Sequence, residues 1–253
     1  MLKSCKDYSN TVGIFWHGRP WTKLERAAVN SWMSNYYDVE VFSYHPIENI
    51  SDNVLNTDAR TVWDVDPNTI RKHQKMNSYA PFADIFGYKM LEKCDGIIKA
   101  CTDQFCLKRL PEDGLIFGRH SKDMIADAVL RIPARSSVGK HIFYYASYYE
   151  EEYYRLPWGT TGPLLMKEAV FNSNMMDYAL PEKAFCPISP AEKLNTFYDL
   201  SFSPLLDSFD ADPEVLGIQI YATGVLNSVA GNVDVFNNPV KDTLYARLLD
   251  RFL

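Results

Sequence analysis

The feature that most constrains the fold is an alternation of extended and helical runs between residues 11 and 103. Residues 11–18, TVGIFWHG, have the apolar, β-branched character of a strand, and residues 22–33, TKLERAAVNSWM, place apolar side chains at helical intervals. Thr22 and Glu25 carry the spacing of a capping box, which predicts a helix start there. Residues 38–44, DVEVFSY, alternate as a second strand, and residues 58–64, DARTVWD, predict a short helix or turn before the polar stretch DPNTIRKHQKMN. Residues 80–93 predict a helix with a wide apolar face of Phe82, Ile85, Phe86, Met90 and Leu91, followed directly by a strand at GIIKA. Alternation of this kind implies an α/β fold: a Rossmann-like, mostly parallel sheet flanked by helices, with ligands at the carboxyl ends of its strands.

The second half is less regular. Residues 127–136, DAVLRIPARS, predict a strand with a turn; residues 141–156 predict a helix with its tyrosines packed on the sheet; residues 158–172 predict a glycine-bearing loop entering a helix. No repeat, low-complexity tract or long linker divides the chain, so the expectation is a single domain over 1–253, with a ligand-binding half at about 10–110 and a second half at about 111–253. A hydrophobic content of 47% with 14% aromatic residues suffices for a substantial core and excludes disorder as the main state.

A net charge of -6 and the lack of any Lys or Arg run longer than two or three residues argue against a nucleic-acid surface or a polybasic membrane anchor. An anionic ligand must therefore find its positive charge locally. The amino-terminal stretch MLKSCKDYSN has no continuous apolar region, and no segment has the length of a membrane span. The expectation is a cytoplasmic protein without an integral membrane segment, able to work peripherally at a membrane. Cys5, Cys94, Cys101, Cys106 and Cys186 form an odd set without a CxxC pair, which fits thiols in a reducing compartment.

If the strand at 96–103 runs on through Asp103, side chains alternate so that Lys99, Cys101 and Asp103 share one face. A cation, a thiol and a carboxylate then point together at a strand end. The plainer alternative is that Asp103 caps the turn before FCLKRL. A glycosidase would need two carboxylates flanking a bond, and no such pair stands out. Cys101 has no adjacent base to make it a nucleophile.

Several blocks, in order, resemble the glycosyltransferase family with a DXD-containing sugar-binding region, the retaining GT-A enzymes of capsule and lipopolysaccharide synthesis and the initiation mannosyltransferases. They are IFWHGRPWTKLERAAVNSW, SYAPFADIFGYKML, GIIKACTDQFCLKRL, WGTTGPLLMKEAV and the closing LYARLLDRFL. The resemblance implies a GT-A type fold and transfer of a hexose or pentose from a nucleoside-diphosphate sugar, a UDP-sugar ahead of a GDP-sugar, to a saccharide acceptor with anomeric retention. It implies donor contacts from Trp16, His17, Tyr79, Asp84, Lys99, Thr102, Asp103 and Gly162, catalytic roles for Asp84 and Asp103, and a manganese or magnesium ion held by Asp103 on the diphosphate.

The departures from the family pattern cluster in this region. Cys101 stands at the first aspartate of the DXD, Gly87 at the arginine of D-x-x-R-Y, Ile97 at a glycine, and Gln219 and Tyr221 at a histidine and a tryptophan. Three explanations stay open on the sequence: Asp103 alone holds the metal, the Lys99 ammonium partly replaces it, or the chain is a non-catalytic relative that binds a sugar nucleotide or a partner.

Overall fold

The computed structural model describes residues 7–112 and 114–253; Cys5 and the rest of the extreme amino terminus lie outside the described residues. Thr11–Trp16 forms β1, buried throughout except at Trp16. Its apolar residues divide between two faces: Val12 and Ile14 pack with Val29 and Trp32, whereas Phe15 packs with Phe82 and Phe86. A strand covered on both faces belongs inside a sheet, and β1 is the middle of five.

The remaining elements follow from that position. Lys23–Ser34 forms α1, Asp38–Ser43 β2, Leu55–Asp58 β3, Ala80–Lys93 α2, Ile98–Ala100 β4 and Gln104–Cys106 β5. Arg119–Ser121 and Met124–Ile125 form the β6 and β7 hairpin, Val129–Leu130 β8, Ser137–Tyr149 α3 and Leu165–Asn172 α4. Asn195–Tyr198 is α5, Leu205–Ala211 α6, Gly217–Gln219 β9, Ala222–Ser228 α7, Asp234–Asn237 α8 and Leu244–Phe252 α9. The sheet order is β3-β2-β1-β4-β8, parallel except for β8. This is the expected mixed α/β architecture, with α1 on one face and α2 on the other. A separate ribbon of β5 and β9 and the buried face of α9 (Leu244, Tyr245, Leu248, Leu249, Phe252) extend the core beyond α1.

Two expectations are corrected. The strand at 96–103 stops at Ala100: Cys101 N–H makes a last bond to Ala128 O, and the chain then turns, Gln104 N–H donating back to Cys101 O at 3.2 Å. Lys99 and Asp103 therefore do not share a strand face. The helix expected over 141–156 starts earlier, where Ser136 Oγ accepts Gly139 N–H at 2.9 Å, and ends at Tyr149. Of its tyrosines, Tyr144 and Tyr148 are exposed, while Tyr153 and Tyr154 pack inward from the following turn. The short turn expected within 58–64 is present at Ala59–Thr61, capped by Asp58, and β3, which the sequence reading lacks, precedes it.

The capping box at the start of α1 is formed as expected. Thr22 Oγ1 accepts Leu24 N–H at 3.3 Å, and Glu25 Oε2 accepts Thr22 N–H at 2.7 Å and the Thr22 hydroxyl at 2.6 Å. Thr22→Ala removes a cap and leaves a buried donor unpaired, so urea denaturation should show a loss of about 1–2 kcal/mol.

Candidate functional site

The crossovers from β1 through α1 to β2 and from α2 to β4 leave opposite sides of β1. That reversal splays the loops after β1 and β4 apart and opens a crevice at the strands' carboxyl ends. The crevice is a cavity of about 630 Å³. Its walls are the loop after β1 (Trp16 to Arg19), the approach to α2 (Met76 to Ala80), the turn after β4 (Ala100 to Asp103) and the segment carrying α7.

Aromatic groups build one wall. Trp16 Nε1 donates to Arg19 O at 2.8 Å, and the Arg19 guanidinium lies 5.0 Å from the indole centroid. Arg19 is itself held by a two-pronged pair with buried Glu25, at 2.6 and 3.1 Å, so the capping residue of α1 also fixes the loop that carries Trp16. Gly18 permits the turn: its φ is +117°, and a Cβ there would stand 3.3 Å from the Tyr79 ring. His17 packs edge-on against Tyr79 at 4.6 Å; burial, with His45 adding, pulls its imidazole below the usual value. Lys72 stands at the rim, 5.2 Å from the Tyr79 centroid.

The floor is a charged cluster. Lys99, with 6% of its side chain exposed, donates to Asp127 O and lies 3.5 Å from Asp127 Oδ2 and 3.6 Å from Cys101 Sγ. Asp84 accepts the Thr161 hydroxyl at 2.8 Å and is hydrogen-bonded to Asp127. Burial drives the Asp84 carboxyl well above the carboxylate range, and the neighbouring Asp127 charge adds to it. Burial opposes ionisation of Asp127 as well, but Lys99 and the Asp84 hydrogen bond outweigh it and hold that carboxyl below its usual value. The two carboxyls therefore titrate as a coupled pair, with Asp84 pushed up and Asp127 held down. Burial also works against the Lys99 charge, yet the surrounding acidic groups raise its pKa above the ordinary lysine value. Cys101 is pushed up to about 12 by burial and stays a thiol. Gly162 lets the loop before α4 close over the pair: a Cβ there would lie 2.9 Å from Asp84 Oδ2 and 3.0 Å from Asp127 Oδ2.

Of the residues singled out in the sequence, Trp16, His17, Tyr79, Asp84, Lys99, Thr102 and Asp103 all line this cavity, while Gly162 sits behind Asp84. Asp103 has other partners. Its Oδ1 accepts Gln219 Nε2 at 2.9 Å, its Oδ2 accepts Ala222 N–H at 2.7 Å, and only 8% of the residue is exposed. Tested as a metal ligand, Asp103 has both oxygens engaged, and no cluster of three or more His, Cys, Asp or Glu suited to a metal occurs among the described residues. A single buried carboxylate with both oxygens already accepting protein donors is a poor seat for manganese or magnesium. Sequence reasoning missed Asp127, Arg19, Glu25 and Lys72. Asp127 opens the strand expected at 127–136, but no spacing relates it to Lys99.

Linkage fixes the sign of the pH response. Stability from Asp84, whose pKa is raised, is full below the ordinary carboxylate value and is lost as pH rises through the raised one. Stability from Asp127, whose pKa is lowered, is present above the ordinary value and is lost as pH falls through the depressed one. Denaturation across pH should therefore show a maximum between the two. Asp84→Asn, which keeps a donor for Asp127 and an acceptor for Thr161, should abolish the alkaline decline and leave the acid one. No helix among the described residues is long and apolar enough to cross a membrane. No protein-family model matches the chain, and no curated protein matches it. A solved structure titled "PaToxG Glycosyltransferase" is similar at 13% identity over 64% of this chain and 68% of that one, with a TM-score of 0.45, a likeness that assigns no activity.

Proposed function

We propose that the cavity binds a nucleoside-diphosphate sugar and that the protein is a glycosyltransferase moving the sugar to a saccharide acceptor with retention. The observation that carries this reading is the meeting, in one cavity at the carboxyl ends of β1 and β4, of residues from three separate sequence blocks: Trp16 and His17, Tyr79 and Asp84, Lys99. Each has a use there. The Trp16 and Tyr79 rings offer faces to a base. Asp84, neutral and hydrogen-bonded, offers polar contacts to sugar hydroxyls, and Lys99 on the floor with Lys72 at the rim meets diphosphate charge. The chain's work in transfer is positioning: the rings hold the base, Asp84 orients the sugar, and Lys99 takes charge from the departing diphosphate. A UDP-sugar is the proposed donor.

A second reading is favoured by Asp103, whose carboxylate is spent on Gln219 and α7: a protein that binds the sugar nucleotide without turning it over. Calorimetric titration with UDP, GDP and their common sugars should show binding of one base series, weakened about tenfold or more by Trp16→Ala, since a stacked base contributes ~1–3 kcal/mol. Release of the nucleoside diphosphate from the sugar donor supports the transferase; binding without release supports the second reading. No binding of either series would contradict both.

A further inference from the structure

We propose that the cavity binds its diphosphate ligand without a divalent metal ion, Lys99 supplying the resident positive charge and Asp103 serving as a structural latch between the turn after β4 and α7. The inference rests on the reading of the cavity as a nucleoside-diphosphate site.

Asp103 is committed on every side. Besides the two carboxylate bonds, its carbonyl accepts Ile220 N–H at 3.1 Å, so one residue joins the turn after β4 to the run from Gln219 to Ala222. A metal on either oxygen would have to share it with a buried amide donor and compete for the same carboxylate charge. Gln219 is already short of partners, because its Oε1 is buried without one, and losing its Nε2 bond would leave the whole side-chain amide unsatisfied.

Lys99 is built in. Its stem lies across α2 at Gly87, where a Cβ would meet Lys99 Cε at 3.0 Å and Cγ at 3.1 Å. A larger residue at position 87 would push the lysine out of the floor. Cys101 Sγ lies 3.6 Å from Nζ.

The charges then balance without a metal. Asp84 is pushed toward its neutral form, Asp127 is held toward its ionised form, and the Lys99 ammonium lies 3.5 Å from Asp127 Oδ2, so the lysine already offsets the carboxylate beside it. Two ionised carboxylates aimed at a diphosphate would demand a dication between them; this floor does not. Lys72, lining the same cavity at the rim, gives a bound diphosphate a second cation.

The test is titration of UDP and GDP by calorimetry, each with manganese and with excess EDTA, together with electron paramagnetic resonance of manganese added to the protein alone. The expected result is affinity unchanged within about twofold by EDTA, and a manganese signal that the protein alone leaves undiminished. Lys99→Met should weaken nucleotide binding in EDTA by about ten- to a hundredfold, the scale of a lost charged hydrogen bond. Asp103→Asn, which can still accept from Ala222 N–H and face a turned Gln219 amide, should bind as the natural chain does. Binding that appears only with manganese, or manganese binding lost in Asp103→Asn, would overturn this proposal and leave the nucleotide-sugar reading standing. If no nucleotide binds under any condition, both fall. If Lys99→Met fails to fold, the metal comparison on the natural chain decides alone.

Discussion

The ion pair between Lys99 and Asp127, with Asp84 beside it pushed toward its neutral form by burial, is the interaction on which the site depends. It joins three parts of the fold: Lys99 from β4, Asp127 from the entry to β8, and Asp84 from α2. Taken singly, each would be costly to bury, since an isolated charge in an apolar setting either neutralises or destabilises the fold. Together, with Thr161 satisfying Asp84 and Gly162 closing over both carboxyls, they form a polar floor beneath a cavity otherwise walled by rings. Removal of Lys99 or Asp127 would leave its partner in the ion pair without it.

The geometry of that floor is set by the sheet. β1 is the middle strand because its two faces are both apolar, and β4 must lie beside it because α2 covers the Phe15 face. This order places the ends of β1 and β4 next to one another and reverses the chain's winding there. The rigid supports are ordinary: a capping box whose Glu25 also grips Arg19, and through Arg19 the Trp16 loop. A stabilising device of α1 is thus also a positioning device of the cavity.

The legible part of the sequence was the part governed by local rules. Periodicity read β1, α1, β2, α2 and the start of β4, and the capping box fixed the start of α1. Asp127 carried no signal, because its tie to Lys99 spans 28 residues and exists only once β8 pairs with β4. Asp103 was misplaced for the opposite reason: the two-residue strand period was carried through a strand of three residues and across a turn. The helix at 141–156 overran because its tyrosines read alike, although Tyr149 ends the helix and Tyr153 turns inward to accept Arg71 N–H at 2.8 Å. Residues 173–216, built from single turns and short helices, have no period to read.

The most direct test of the whole account is carbon-13 NMR of the protein labelled at its aspartate carboxyls, titrated in pH with and without UDP-glucose and GDP-mannose. The account predicts one carboxyl titrating well above the ordinary range, absent in Asp84→Asn, whose resonance moves when one of the sugar nucleotides is added. An Asp84 resonance that titrates near the ordinary carboxylate value, or that stays unmoved by either nucleotide at saturation, would contradict it.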